Sequence, residues 1–158
     1  MGKINYGRVI LGGIVGGIVA GFLDWFFNGV LMGQLWADAA KALNLNLNGP
    51  AFFITLFLVF ILGGILMVWV YAAMRPRFGA GVRTAVYAGL VAWAFSILLP
   101  NILNAVTSPY NNPRLLLYST LFAIVEFVAG VIVGARLYKE DESTAAYPAA
   151  ADARQAAR

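Results

Sequence analysis

Four long apolar stretches constrain the fold of this chain more than any other feature of its sequence. They cover about residues 9–32, 52–74, 84–106 and 115–138. A helix needs about 20 mostly apolar residues to cross the hydrocarbon core of a bilayer, and each stretch supplies them. A transmembrane β-barrel would instead alternate polar and apolar residues in strands of about ten. The sequence therefore predicts an all-α integral membrane bundle of four transmembrane helices.

The composition argues against a soluble protein and against common enzyme chemistry. Apolar residues make up 61% of the chain and charged residues only 11%, whereas soluble domains average about 45–50% and about 25%. The sequence contains neither cysteine nor histidine, which excludes disulfides, cysteine nucleophiles and the usual metal ligands. We therefore expect no metal site and no cofactor. We also expect no enzymatic activity, because acidic, basic and metal-binding groups do not cluster at one membrane interface.

The chain divides into a membrane domain and a tail. Residues 1–138 are the predicted transmembrane domain, and residues 139–158 are predicted to be a flexible, Ala-rich cytoplasmic tail because they lack apolar periodicity. The first apolar stretch is too long for a signal peptide, so we expect it to remain as an anchor. Residues 36–43 have a helix-forming composition, and we expect them to lie along the outer membrane surface as a short amphipathic helix.

The basic residues predict the orientation of the chain. Nine of the eleven lysines and arginines lie on the side that holds both termini and the second connector, whereas Lys41 and Arg114 lie on the other side. Lysine and arginine concentrate in cytoplasmic loops, so both termini should be cytoplasmic, in a bacterial-type plasma (inner) membrane. This basic collar would contact anionic lipid headgroups. We expect membrane lipids as partners, and no nucleic acid, because the chain lacks a soluble face that could bind one.

Small residues recur at helical spacing in several spans, where they let helix backbones approach closely. The glycines expected to pack are Gly13, Gly17 and Gly21 in the first span and Gly130 and Gly134 in the fourth. The third span carries a comparable stripe, whereas the second is bulky apart from one glycine pair. We therefore expect spans one, three and four to form a tight core with the second at its periphery. The glycine contacts could form within one chain or between copies in a homo-oligomer.

Two acidic residues, Asp24 and Glu126, lie inside the apolar stretches, and no basic residue lies well inside any of them. Ionisable groups are costly in a membrane interior and are therefore candidates for function. Either both carboxyl groups are protonated and hydrogen-bonded, or they face a wet cavity or a bound cation. Counting along the helices at about 1.5 Å per residue separates them by about 9 Å in depth. That is too far for a direct hydrogen bond, but water, Asn28 or a tyrosine could bridge them.

Further amide side chains lie near the outer end of the bundle. Asn28 follows the first acidic residue by one helical turn, and Asn101 and Asn104 follow Pro100, which can kink the third span. Together with the two acids they would form a polar pocket that opens toward the outside. The predicted site is therefore Asp24, Asn28, Asn101, Asn104 and Glu126.

Several short motifs carry a resemblance to a known family. The sequence Ile4-Asn5-Tyr6 precedes the glycine-rich first span, Trp25-Phe26-Phe27 falls within it, and Gly33-Gln34-Leu35-Trp36 follows it. The third span contains Trp93 and Leu99-Pro100. In these features residues 4–138 resemble the small four-helix bacterial membrane proteins catalogued as domain of unknown function 1761. The resemblance implies the four-helix layout and brings no activity or catalytic residues.

Two functions remain open on the sequence alone. The pocket could bind or relay a proton or cation, coupled to transport of a small substrate. Four helices leave little room for a pathway, so this function favours a homo-oligomer. Alternatively, both carboxyl groups are neutral and hydrogen-bonded between helices, and the chain is a structural or accessory membrane subunit that binds lipid or another membrane protein. A membrane enzyme that acts on lipids is the least favoured reading.

Overall fold

The computed structural model describes residues 3–47, 49–108 and 112–140 of the chain. Of these residues 87% are helical and none belongs to a β-strand. The helices are α1 (Tyr6–Leu31), α2 (Gly33–Ala42), α3 (Pro50–Phe78), α4 (Val82–Thr107) and α5 (Pro113–Leu137). All except α2 are long and apolar enough to cross a membrane, which confirms the predicted all-α fold with four spans. The predicted tail lies outside the described residues from position 141 onward.

The helices start earlier than the apolar stretches, and local capping signals accompany several of their ends. Before α1, the side chain of Asn5 accepts a hydrogen bond from the backbone N–H of Arg8 at 3.1 Å. Before α5, the side chain of Asn112 accepts from two backbone N–H groups of the first turn. Helix α3 ends at Phe78, and the following Gly79 has a φ of +82°, which suits a residue without a Cβ atom. The helices therefore begin two or three residues before the stretches that hydropathy alone predicts.

The short helix α2 follows α1 directly, where the sequence predicts a helix over residues 36–43. It covers Gly33–Ala42. Its Ala39 is buried, whereas Asp38 is exposed and accepts a hydrogen bond from Nε2 of Gln34 at 3.0 Å. A buried alanine and an exposed polar pair give α2 the amphipathic character expected of it.

Helix α1 packs against α3 with glycines on both sides of the contact. A Cβ atom on Gly13 would overlap the α3 backbone, and one on Gly64 would overlap the backbone of Gly13 and Gly17. Gly17 and Gly21 face Phe60 of α3. Backbone contact of this kind is a common basis of helix association in lipid. The prediction that the second span is peripheral is therefore wrong, because one glycine in an otherwise bulky helix is enough to admit α1.

Helix α1 uses a second glycine face against α5. A Cβ atom on Gly12 would stand 2.5 Å from the carbonyl oxygen of Gly134, and one on Gly16 would stand 2.5 Å from that of Gly130. Within each doubled glycine of α1, one residue therefore faces α5 and its neighbour faces α3. Helix α1 therefore packs closely against both α3 and α5.

Helix α4 lies across the bundle from α1. Its Ala88 and Gly89 are buried, and a Cβ atom on Gly89 would lie 2.9 Å from the Cα atom of Val128 in α5. Among the described residues, α4 contacts α3 and α5 and has no extensive contact with α1. The prediction that spans one, three and four form a tight core is therefore wrong in one respect, because the first and third spans do not pack against each other. Fully buried Val68 and Val131 belong to the apolar cluster inside the bundle.

The end of the bundle that carries Tyr6 and Leu137, which we call the terminal end, is closed by aromatic rings and an arginine. Tyr71 and Tyr138 meet edge to face with 6.0 Å between ring centroids, and Cζ of Arg75 lies 5.3 Å from the Tyr138 centroid.

Two of the membrane-crossing helices contain wide turns, in which a backbone N–H bonds to the carbonyl five residues earlier. In α1 the wide turn covers Trp25–Leu31 and is followed by a bond from the N–H of Met32 to the carbonyl of Phe27 at 3.0 Å. In α4 it covers Ala94–Leu98, directly before the turn that contains Pro100. Proline lacks an N–H and crowds the preceding turn, so the distortion expected at Pro100 takes the form of a wider turn.

Adjacent glycines in α3 give a matched test of the packing. We expect Gly64→Ala to lower the free energy of unfolding by about 1–3 kcal/mol, because the new methyl group would press on the α1 backbone. The control is Gly63→Ala, since a Cβ atom there meets nothing within 4 Å, and alanine favours the helix by about 1 kcal/mol. Unfolding in detergent, followed by circular dichroism, measures both. Equal effects of the two substitutions would contradict the α1–α3 contact.

Candidate functional site

Two acidic side chains and one amide converge where α1 meets α5. Nδ2 of Asn28 donates to Oδ1 of Asp24 at 2.8 Å and lies 3.5 Å from Oε1 of Glu126. Asp24 and Asn28 are one turn apart on α1, where its wide turn begins, whereas Glu126 belongs to α5. The structure thus links the two acids through Asn28, one of the bridges that the sequence allows.

A tryptophan from the short helix α2 fixes the orientation of this amide. Nε1 of Trp36 donates to Oδ1 of Asn28 at 3.0 Å. An indole N–H can only donate, so the amide oxygen faces Trp36 and the amide NH₂ group faces the acids. Its two hydrogens can then serve one carboxyl group each. We call Asp24, Asn28, Trp36 and Glu126 the acid–amide cluster.

The acid–amide cluster lies apart from basic side chains, and its glutamate is buried. Glu126 is only 2% exposed, and Asp24 and Asn28 are half-buried. In the part of the chain that the structure describes, no lysine or arginine nitrogen lies within 4.0 Å of either carboxyl group, and Arg75 forms its ion pair with Glu140 at the terminal end. The same residues contain no group of three acidic side chains that could hold a metal ion.

Aromatic rings flank the cluster along the α1–α5 contact. Phe27 and Phe122 stack with 4.6 Å between centroids and 6° between ring planes. Phe27 directly precedes Asn28, and Phe122 lies one turn before Glu126 on α5. Tyr118 extends the stack, with its centroid 6.3 Å from that of Phe122. The rings therefore add apolar surface to the α1–α5 contact on which the cluster lies.

The amides of the third span lie elsewhere. Nδ2 of Asn101 donates to Oγ1 of Thr120 at 2.8 Å and lies 3.4 Å from Oγ of Ser119. These hydroxyl groups are nearly two turns away from the buried glutamate along α5, so Asn101 joins α4 to α5. The side chain of Asn104 is exposed. Of the five predicted site residues, the structure gathers the two acids and Asn28.

Two tryptophan contacts could not be anticipated from the sequence. One is the bond from Trp36 to Asn28, and the other is the bond from Nε1 of Trp93 to the backbone carbonyl of Thr120 at 2.9 Å. The first requires α2 to fold back over the end of α1, and the second requires α4 to lie beside α5. Neither arrangement leaves a signal in residue spacing, because each depends on how helices meet in space.

No protein-family model, curated protein or solved structure matches the chain, so its function has to be inferred from its own geometry. The resemblance of residues 4–138 to domain of unknown function 1761 therefore stays a prediction.

Replacing the central amide tests whether it holds the cluster together. We expect Asn28→Leu to lower the free energy of unfolding by about 1–3 kcal/mol, because both carboxyl groups and one indole N–H lose a hydrogen-bond partner. The same substitution at exposed Asn104 is the control and should change stability by less than about 0.5 kcal/mol. Denaturant unfolding in detergent gives both values. A loss at Asn104 as large as that at Asn28 would contradict the bridging role.

Proposed function

We propose that this multi-pass membrane protein binds a proton or a monovalent cation at the acid–amide cluster as part of a transport cycle. One observation carries the proposal: two carboxyl groups from different helices share one amide donor, and no basic nitrogen of the described residues lies within 4.0 Å of them. Uncompensated negative charge in a region of low polarity attracts a cation strongly. Ionisable side chains inside membrane spans commonly mark proton or ion pathways.

Binding at this cluster would act on the contact between α1 and α5. When both carboxyl groups are ionised, Asp24 and Glu126 repel each other across that contact, and a bound proton or cation removes the repulsion. Asn28 lies in the wide turn of α1, and such turns recur at functional sites because their hydrogen bonding is less regular. A change of charge on the carboxyl groups would therefore move the wide turn of α1, while the glycine contacts nearer the terminal end stay closed. We further propose a homo-oligomer, since one bundle of four helices has little room for a pathway.

A structural or accessory role is the second candidate, and the burial of Glu126 favours it. A carboxyl group that stays protonated can bond Asn28 and hold α1 to α5 without exchanging protons with solvent. In that case the chain would serve as a subunit that binds lipid or another membrane protein. The two candidates differ in one measurable property, which is whether Glu126 changes protonation while the protein remains folded.

Infrared difference spectroscopy separates these two functions. For the transport function we expect pH steps across the neutral range to change a carboxyl C=O band of the wild-type protein in lipid, because the acid–amide cluster exchanges protons. Glu126→Gln should remove that band. Asp38→Asn is the control, because this exposed carboxylate on α2 bonds Gln34 and lies outside the cluster. A band that is constant with pH, or one that persists in Glu126→Gln, would contradict proton exchange at Glu126.

We propose that both termini are cytoplasmic and that the membrane is a bacterial inner membrane, on the basis of the basic residues at the terminal end. The chain has no cysteine, so single cysteines report sidedness without a background. In intact cells, a membrane-impermeant maleimide should label Lys41→Cys and should leave Arg77→Cys unlabelled until the cells are broken. The reverse pattern would show that the termini face outward.

A further inference from the structure

An apolar groove opens between α1 and α3 near the terminal end, far along α1 from the acid–amide cluster. It has a volume of about 390 Å³ and is lined by Tyr6, Val9, Ile10, Ile65, Leu66 and Trp69. Tyr6 is the first residue of α1, so the groove starts at the membrane boundary and continues one turn deeper to Ile10. Tyrosine and tryptophan side chains favour the headgroup level of a bilayer, and both occur at the shallow end of this groove.

Basic residues lie on the terminal side of the groove along both helices. Lys3 is exposed three residues before Tyr6, and Arg77 is exposed near the end of α3. At about 100° per residue, Arg77 falls within about 20° of Leu66 around the helix, three turns closer to the membrane boundary. The described residues of this end include seven lysines and arginines but one acid, Glu140, which pairs with Arg75. The occupant that matches this charge is anionic.

We propose that the groove is a binding site for an anionic phospholipid. One acyl chain lies against Ile10 and Leu66, and the phosphate group is held between Lys3 and Arg77. Tyr6 and Trp69 lie at the level of the ester groups, where their polar atoms face the headgroup region. An apolar groove with a basic mouth matches a molecule that is apolar along its length and negative at one end. This site does not depend on the proposed transport function, since it uses different residues at a different depth.

Lipid titration followed by native mass spectrometry tests the charge component. The full chain in detergent is titrated with phosphatidylglycerol and with phosphatidylcholine of the same acyl chains. We expect the first phosphatidylglycerol to bind more tightly than phosphatidylcholine. Arg77→Gln should weaken phosphatidylglycerol about fivefold, the effect of one basic residue near an anionic headgroup, and should leave phosphatidylcholine unchanged. The matched control is Arg83→Gln, because Arg83 is at the same end but stacks on Tyr87 of α4.

Filling the groove tests the apolar component. Ile10 and Ile18 are both about half exposed on α1, at 49% and 53%, but only Ile10 lines the groove. Ile10→Trp should weaken the first binding step of both lipids, whereas Ile18→Trp should not, with circular dichroism showing that both variants are folded. Equal affinity of the two lipids, or equal losses in Arg77→Gln and Arg83→Gln, would overturn the proposal. Conversion of an oligomer to monomer by Ile10→Trp would also overturn it, because it would assign the groove to a second copy of the chain.

Discussion

In lipid, helices gain little by hiding apolar side chains from one another, so a bundle of apolar helices needs another source of cohesion. This chain obtains it by removing side chains at the contacts. Gly12 and Gly16 meet glycines of α5, and Gly13 and Gly17 meet α3. Dispersion forces fall off steeply with distance, so the close approach of backbones supplies contact energy that larger side chains would prevent. The positions of α3 and α5 follow from these contacts with α1.

The acid–amide cluster is one of the groups placed in this way. The glycine contacts set the spacing of α1 and α5, and about three turns farther along α1 the same two helices bring Asn28 beside Glu126. A wider spacing would leave a buried carboxyl group without its donor, which is costly in an apolar environment. The packing of the bundle and the geometry of the acid–amide cluster therefore both depend on the glycine contacts between α1 and α5.

The sequence predicts which segments form the membrane-spanning helices better than it predicts which helices lie next to each other. Hydropathy identifies the four spans, and burial of acids in apolar stretches identifies Asp24 and Glu126 as residues that need a partner. Asn28 follows because helical spacing places it one turn from Asp24. The prediction that the second span lies outside the core is wrong because Gly64 alone admits the α1 backbone, so the length of a small-residue stripe does not decide which helices pack together. Asn101 is bonded to hydroxyl groups of α5, and only the position of α4 beside α5 reveals this.

The doubled glycines of α1 have a mechanical consequence. A shift of α1 by one residue would bring Ile14 and Ile18 to the α3 contact in one direction, or Leu11 and Val15 to the α5 contact in the other, at points where two backbones already touch. The register of the first four turns is thereby locked, and sliding of one helix past another is blocked in that half of the bundle. We therefore expect any rearrangement of α1 to start beyond Gly21, where the glycine contacts end and the wide turn follows at Trp25. Asp24 lies between the glycine contacts and the wide turn, and Asn28 lies within that turn, so both belong to the part of α1 that the glycines do not hold.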